Sequence, residues 1–290
     1  MSRLLVALLA FSVAALPGVD AAAGDPSNEN LAKQVQNPVA NMISVPFQNN
    51  TNLNYGPDRG VQNVMNFQPV VPFNVSPEFN VITRSILPVI ANPSLGPRIG
   101  AVGGLGDLQF TAFLSPAAPT KWVWGAGPIF QFPTHTAATL GNDNLGLGPS
   151  GVLLHISPDS PWVAGALINT VWSLSTAPQA PAYTNSLLQP FINYNFPGGY
   201  YLTFSPIATM DWRAPPNQQL TLPLGGGGGM VFRLGDQPIN AQLSAYYNVV
   251  RPDYGPALRS ATVRPRAGYY RWILTLGLLS LLGPSQVHSR

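Results

Sequence analysis

Residues 161–174 read PWVAGALINTVWSL. The even positions are Trp162, Ala164, Ala166, Ile168, Thr170, Trp172 and Leu174, and the odd ones include Gly165, Asn169 and Ser173. Alternation with a period of two marks a strand with one apolar face. Trp162 and Trp172 stand ten residues apart. At ~3.3 Å per residue that separation is about 33 Å along a strand. A tilt of ~40° projects it onto about 25 Å, the height of the apolar band between the two aromatic girdles of a transmembrane barrel. The solvent that suits this strand is lipid.

Other segments repeat the pattern. In KWVWGAGPIFQF (121–132), Trp122, Trp124, Ala126, Pro128, Phe130 and Phe132 oppose Gly125, Gly127 and Gln131. In YYLTFSPIATMDW (200–212), Tyr200, Leu202, Phe204, Ala208, Met210 and Trp212 oppose Thr203, Ser205, Thr209 and Asp211. Segment 239–250 sets Ile239, Ala241, Leu243, Ala245, Tyr247 and Val249 against Asn240, Gln242, Ser244, Tyr246 and Asn248. Alternation alone does not separate a soluble sandwich from a membrane wall. The aromatic bracketing and the scarcity of charge on either face decide for lipid.

Composition agrees. Of the 290 residues, 9% are charged, against ~25% in a typical soluble domain. With 46% hydrophobic residues the chain is not disordered, and it makes a poor soluble surface. Beyond the N-terminus there is no apolar run near the ~20 residues that a membrane helix needs. A closed barrel crosses a bilayer with ~10-residue strands that each need only one apolar face. The net charge of +3 misleads. From Gly24 to Val250 there are seven Lys/Arg against nine Asp/Glu, while the last forty residues hold six Arg and one Asp. No surface for nucleic acid is expected. The chain has no cysteine, which excludes disulfide staples and thiolate chemistry.

The N-terminus, MSRLLVALLAFSVAALPGVDAAAG, has the layout of a secretory signal. Arg3 precedes a largely apolar stretch of thirteen residues from Leu4 to Leu16, and Ala21–Ala23 offers small residues for cleavage. Residues 1–23 are expected to be a signal peptide cleaved near Ala23, and 24–40 a periplasmic N-terminal segment. Beyond them, short turns centred near 76, 118, 159, 198 and 236 recur every 38 to 42 residues. Longer polar or glycine-rich stretches at 48–60, 92–106, 133–144, 175–185 and 211–219 lie between them. Tight periplasmic turns alternating with larger external loops are the habit of an outer-membrane barrel. The expected fold is therefore all-β, an antiparallel transmembrane β-barrel of about 12 strands over 41–256.

Eleven strands fall near 41–48, 61–73, 78–90, 107–114, 121–132, 146–156, 161–174, 186–196, 199–210, 219–234 and 237–250. An even count needs a twelfth from the C-terminal region. Pro69, Pro88, Pro128, Pro149, Pro190, Pro206 and Pro223 fall inside these strands. Proline cannot donate to a ladder, so bulges are expected there.

Motifs for chemistry are weak. GLGPSG (146–151) spells a dinucleotide-loop pattern, but no helix follows it, and GGGGG (225–229) lacks the Lys-Ser/Thr of a phosphate loop. The five glycines read as a strand that bends or lets something approach closely. His135 and His155 have no partner at a diagnostic spacing, and nothing resembles a nucleophile elbow. No catalytic residue, metal site or cofactor is expected.

The lumen says more. By phase it includes Asn66, Arg84, Gln109, Asn169, Gln189, Asn193, Thr203, Ser205, Asn240 and Gln242. Gln62, Gln68, Asn80, Gly125, Gly127, Asn195 and Asn248 share that phase. Uncharged amides and glycines dominate, and Arg84 is the one charge expected at mid-height. Such side chains either line a transport path or fill a narrow barrel by bonding one another.

The segments GLGDLQFTAFLSP, KWVWGAGPIFQFPT, LGLGPSGVLLH, SPWVAGALINTVWS, LLQPFINYNFPGGYYLTFSP and VFRLGDQPINAQLSAYYNVVRPDYGP resemble bacterial outer-membrane proteins of the phenol meta-pathway transporter type. The resemblance covers about residues 25–256. It implies a barrel of about twelve strands and uptake of small solutes, apolar or aromatic compounds among them. The implied partners are those solutes, the lipid bilayer and the outer-membrane assembly machinery. After Pro256 the resemblance stops, and 257–290 is arginine-rich and then loses alternation through Trp272–Leu282. Charge and periodicity change together, which favours a shifted reading frame over a divergent closing strand in 261–282. The alternatives to a channel are a structural or adhesive barrel acting through its loops, and a membrane-embedded hydrolase.

Overall fold

The computed structural model describes residues 26–56, 58–96, 99–118, 120–235 and 237–252, and the backbone of 270–279. The expected signal peptide, and the rest of the C-terminal segment, lie outside the described residues.

A helix, α1 (Pro26–Val35), precedes fifteen strands. These are β1 (Ser44–Tyr55), β2 (Gly60–Phe67), β3 (Val70–Asn74), β4 (Phe79–Asn92), β5 (Val102–Leu105), β6 (Leu108–Pro116), β7 (Trp122–Phe132) and β8 (Gly146–Ile156). They continue with β9 (Trp162–Ser173), β10 (Thr184–Asn195), β11 (Tyr200–Phe204), β12 (Ala208–Asp211), β13 (Leu220–Leu234), β14 (Gln237–Val250) and β15 (Tyr270–Leu279). Three crossings are interrupted: β2 with β3, β5 with β6, and β11 with β12 each share both neighbours or one stave position. The fifteen strands therefore make twelve staves. All pair antiparallel, and the ring is closed, because β15 pairs with β14 on one side and with β1 on the other. Closure leaves no sheet edge in the membrane, where each unsatisfied backbone group costs several kcal/mol.

The outer face is apolar and girdled. Trp162, Ile168 and Trp172 of β9 point outward while Val163, Leu167 and Val171 are buried inside. Near the short turns, Trp162 meets Tyr194 at 4.8 Å, Tyr194 meets Phe196 at 4.8 Å, and Trp122 covers His155 at 5.0 Å. At the long-loop end Phe130 stacks on Phe132, and Trp212 donates its indole N–H to Ser186 Oγ at 2.8 Å. A tryptophan in a girdle needs such a polar handle.

Two expectations change. The stretch 48–60 is not a loop: β1 runs to Tyr55 and β2 begins at Gly60. Its amides mimic loop polarity but satisfy one another along and across the strands. Gln48 donates to Asn50, Asn49 and Asn63 donate to Thr51, and Asn52 donates to Gln62. Strand β1 thus spans Ser44–Tyr55 rather than 41–48.

The prolines also behave in more than one way. Pro69 and Pro206 fall at the strand interruptions, and a register shift lies at Leu222/Pro223. Pro128, Pro149 and Pro190 stay in register without a bulge. Pro88 keeps register with β2, but on its other side the register shifts by one residue between Ile86–Gln109 and Val89–Leu105. Pro128 stands directly opposite Pro149. The cost falls on the outer neighbours, where the β6–β7 ladder skips from Thr111–Ile129 to Leu114–Ala126. The β8–β9 ladder likewise skips from Leu147–Trp172 to Ser150–Asn169. Gly127 and Gly148 sit at these gaps, and a Cβ on either would collide with a carbonyl of the next strand.

Inside, the short-turn half is packed. Val39, from the segment before β1, joins Ile82, Phe113, Val123, Val152, Leu154, Val163, Leu167 and Phe191 in one apolar cluster. The N-terminal segment therefore lies within the barrel mouth. Helix α1 packs Leu31 and Ala32 on Tyr201 and Val231. Its Glu29 and Lys33 pair at i, i+4 (3.1 Å), and the Lys33 ammonium donates to Pro158 O at 3.0 Å. Gln36 and Asn195 exchange amide hydrogen bonds at 2.7 and 3.1 Å.

Candidate transport lumen

The staves turn two unlike walls inward. Strands β4 to β10 present the apolar cluster just described, and β14, β1 and β2 present amides. The lumen expected from the sequence is mostly amides and glycines, and Val163, Leu167 and Val171 are additions to it that share the inward phase of Asn169. Both faces of β9 are apolar near its ends, so phase alone could not rank them.

Two cavities remain between the walls. The lower, about 230 Å³, lies between the N-terminal segment and the wall, lined by Gln34–Pro38, Ala40 and Met42. The upper, about 330 Å³, reaches Asp107, Pro88 and Thr209 toward the long loops. Gln48, Gln68, Arg84, Leu167, Gln189 and Ile207 line both. Of the residues expected in the lumen, Asn193, Thr203, Ser205, Asn240 and Gln242 line the lower cavity. Asn66, Gln109 and Asn169 line the upper, while Arg84 and Gln189 line both. All ten are brought together.

The sequence did not point to Tyr201 as an organiser of the lower wall. Its hydroxyl bonds Asn240 Oδ1 at 2.7 Å and Gln242 Oε1 at 3.2 Å. The Tyr201 ring lies where a Cβ on Gly229 would be. The glycine run 225–229 is thus the close-approach strand that the sequence suggested, and the approaching group is this ring. A matching signal was present in the phase of YYLTF, which turns Tyr201 inward between Tyr200 and Leu202.

Arg84, in the middle of β4, donates Nη2–H to Gln68 Oε1 at 2.7 Å. Gln68 donates to Gln48 Oε1 (3.0 Å), and Gln48 to Asn50 Oδ1 (3.0 Å). This amide relay fixes the guanidinium from two neighbouring staves. Across the lumen Gln189 donates to Ser205 Oγ at 2.8 Å.

The upper end is held differently. Asp107, at the interruption between β5 and β6, accepts from the backbone N–H of Asn142 (2.8 Å) and of His135 (3.3 Å), and from Gln131 Nε2 (3.4 Å). His135 Nδ1 lies 2.6 Å from Asp107 and its Nε2 lies 3.2 Å from Asp143. The loop 133–145 is latched inward by this network. Tyr183 closes its flank, packed on Ile129 and Val171, with its hydroxyl on Asn144 O at 3.4 Å. Burial, reinforced by the Asp107 charge, pushes the Tyr183 phenol up to about 12. Asp107 is a second lumen charge beside Arg84, without a sequence signal of its own. No group of three or more His, Cys, Asp or Glu able to hold a metal occurs among the described residues.

No protein-family profile matches the sequence, and no curated protein matches it. Solved structures do. The COG4313 outer membrane channel from Pseudomonas putida F1 matches with a TM-score of 0.58 at 15% identity, over 82% of this chain and 94% of that one. The NanC porin matches with a TM-score of 0.50 at 8% identity, over 81% and 98%. The CymD monoaromatic hydrocarbon channel aligns at 0.45 and 8%, over 88% and 92%. At these identities the first two likenesses speak for the architecture alone, and they agree with the closed antiparallel ring. The chain has the fold of an outer-membrane channel barrel.

Proposed function

We propose that the protein is a passive channel of the outer membrane, exported with cleavage near Ala23 and inserted by the outer-membrane assembly machinery. Small solutes enter at the loop end, cross the upper cavity, and leave at the periplasmic end past residues 26–42. The observation that carries this reading is the pair of adjoining cavities inside a ring whose outer wall is apolar. A barrel serving only as an anchor for its loops has no need to hold space at mid-height, since small barrels fill with side chains. The similar channel structures support the same reading. In it the two histidines serve structure rather than catalysis, His135 in the loop latch and His155 beneath Trp122 in the girdle.

The test is current through the full chain in planar bilayers. Discrete conductance steps are expected, and their mean size should shrink when Gln36→Cys and Asn195→Cys are oxidised together and recover on reduction. The absence of native cysteine makes that bridge unambiguous. A folded protein that gives no steps would defeat the channel reading in favour of a structural or adhesive barrel.

A further inference from the structure

A guanidinium offers five N–H donors in a planar fork suited to carboxylate. Arg84 uses one of them, on Gln68. Among the described residues no carboxylate lies within ion-pair distance of it; the ion pairs found there belong to Lys33 and His135. The acid that lines the upper cavity, Asp107, is already committed to His135, Asn142 and Gln131. A charge held inside a barrel without a counter-ion is costly. Here the guanidinium is fixed by an amide relay at the one level that both cavities share. Beside it stand Leu167 and Ile207, with Phe113 and Ile129 on the upper side. A cavity of ~150 Å³ is enough to admit benzene, and the upper one is about 330 Å³.

We propose that Arg84 is a binding site for the carboxylate of a small monocarboxylic acid with an apolar body, of benzoate size. The head group takes the donors that Gln68 leaves, and the body lies against the apolar wall of β6 to β9. Gln189, which also lines both cavities, faces the same space and offers a neutral amide that does not repel an anion. The site rests on the channel reading for its biological purpose, and binding itself can be measured without current.

The folded full chain in detergent is titrated by calorimetry with benzoate, with benzyl alcohol (the neutral counterpart) and with acetate (the carboxylate without the body). Currents are recorded from the same preparation. Benzoate is expected to bind about tenfold or more tightly than either, the weight of hydrogen bonds to a charged group. Arg84→Gln should erase the preference over benzyl alcohol, and Arg84→Lys should keep part of it, with heat-modifiable gel mobility checking that each barrel is folded. Equal binding of benzoate and benzyl alcohol by the wild-type protein would overturn the site, whatever the variants do. So would acetate binding as tightly as benzoate, or a preference that survives Arg84→Gln. A wild type that conducts without preferring benzoate overturns the site alone. One that prefers benzoate through Arg84 but passes no current supports the site and overturns the channel.

Discussion

The two ends of the barrel are closed by different chemistry. At the short-turn end a tethered segment, 26–42, fills the mouth with Leu31, Ala32 and Val39, and with one lysine tied to a carbonyl and a glutamate. At the loop end a segment of the wall's own connection, 133–145, is folded inward by a carboxylate, a histidine and backbone amides. An apolar closure of this kind depends on area removed from water and hardly on ionic strength. A closure made of charged hydrogen bonds depends on each donor finding its acceptor, and leaves buried groups stranded if one is lost. The periplasmic end should therefore open as a unit, and the outer end should loosen piece by piece.

The largest effect is expected from removing residues 26–42. Conductance in planar bilayers should rise several-fold, while protease sensitivity of 133–145 stays as it was. An unchanged conductance would mean that the segment does not limit passage and that the two ends are not separate closures. Next comes Asp107→Ala, which strands the donors now aimed at that carboxylate. A cost of about 1–3 kcal/mol is expected for such a loss. It should be read as faster cleavage in 133–145, and conductance steps should grow noisier rather than much larger. Equal protection of the loop in the variant would break the view of Asp107 as the latch.

The smallest effect concerns alkaline pH. The folded Tyr183 phenol holds its proton up to about 12, above the ordinary value of 10.0. Its contribution to stability is therefore complete below the unfolded value and is lost as pH rises from there to about 12. Tyr183→Phe should flatten that part of the alkaline unfolding curve and leave the neutral range little changed. A wild-type phenolate that appears, by ultraviolet absorbance, at the ordinary value while the barrel is still folded would remove this argument.

Strand and girdle were legible because lipid imposes a period and a height, and 161–174 obeys both. The amide wall was legible for the same reason, since Asn240, Gln242 and Asn248 alternate cleanly with Ile239, Ala241 and Tyr247. The strand part of 48–60 was not, because a run of Asn and Gln reads as a loop unless its cross-strand partners, Gln62 and Asn63, are known. The N-terminal closure was hidden too. Nothing in LAKQVQNPVANM has a period that says it will sit inside a ring built from residues far along the chain. Its one local signal, Glu29 four residues before Lys33, announces a helix and no destination. Asp107 was missed because its role arises from contacts with residues 28 and 35 positions away, a separation no local pattern encodes.

The pairing of β15 with β1 has a consequence for how the molecule is made. Ser44 lies opposite Leu279, so the first stave waits for the last before either edge is satisfied. Neighbouring hairpins such as β6–β7 and β8–β9 involve short connections and can form early. The final seam joins segments separated by almost the whole chain, and contacts of that range are the slow ones. Loop-closure entropy itself grows only slowly, by ~0.6 kcal/mol per doubling of length, so the delay reflects search and insertion more than equilibrium cost. Because β1 begins at the short-turn end, the segment ahead of it can enter the finished ring from that side without being threaded. Assembly can thus run in the order hairpins, seam, stopper, and a chain halted before the seam would be caught with two open edges and its stopper outside.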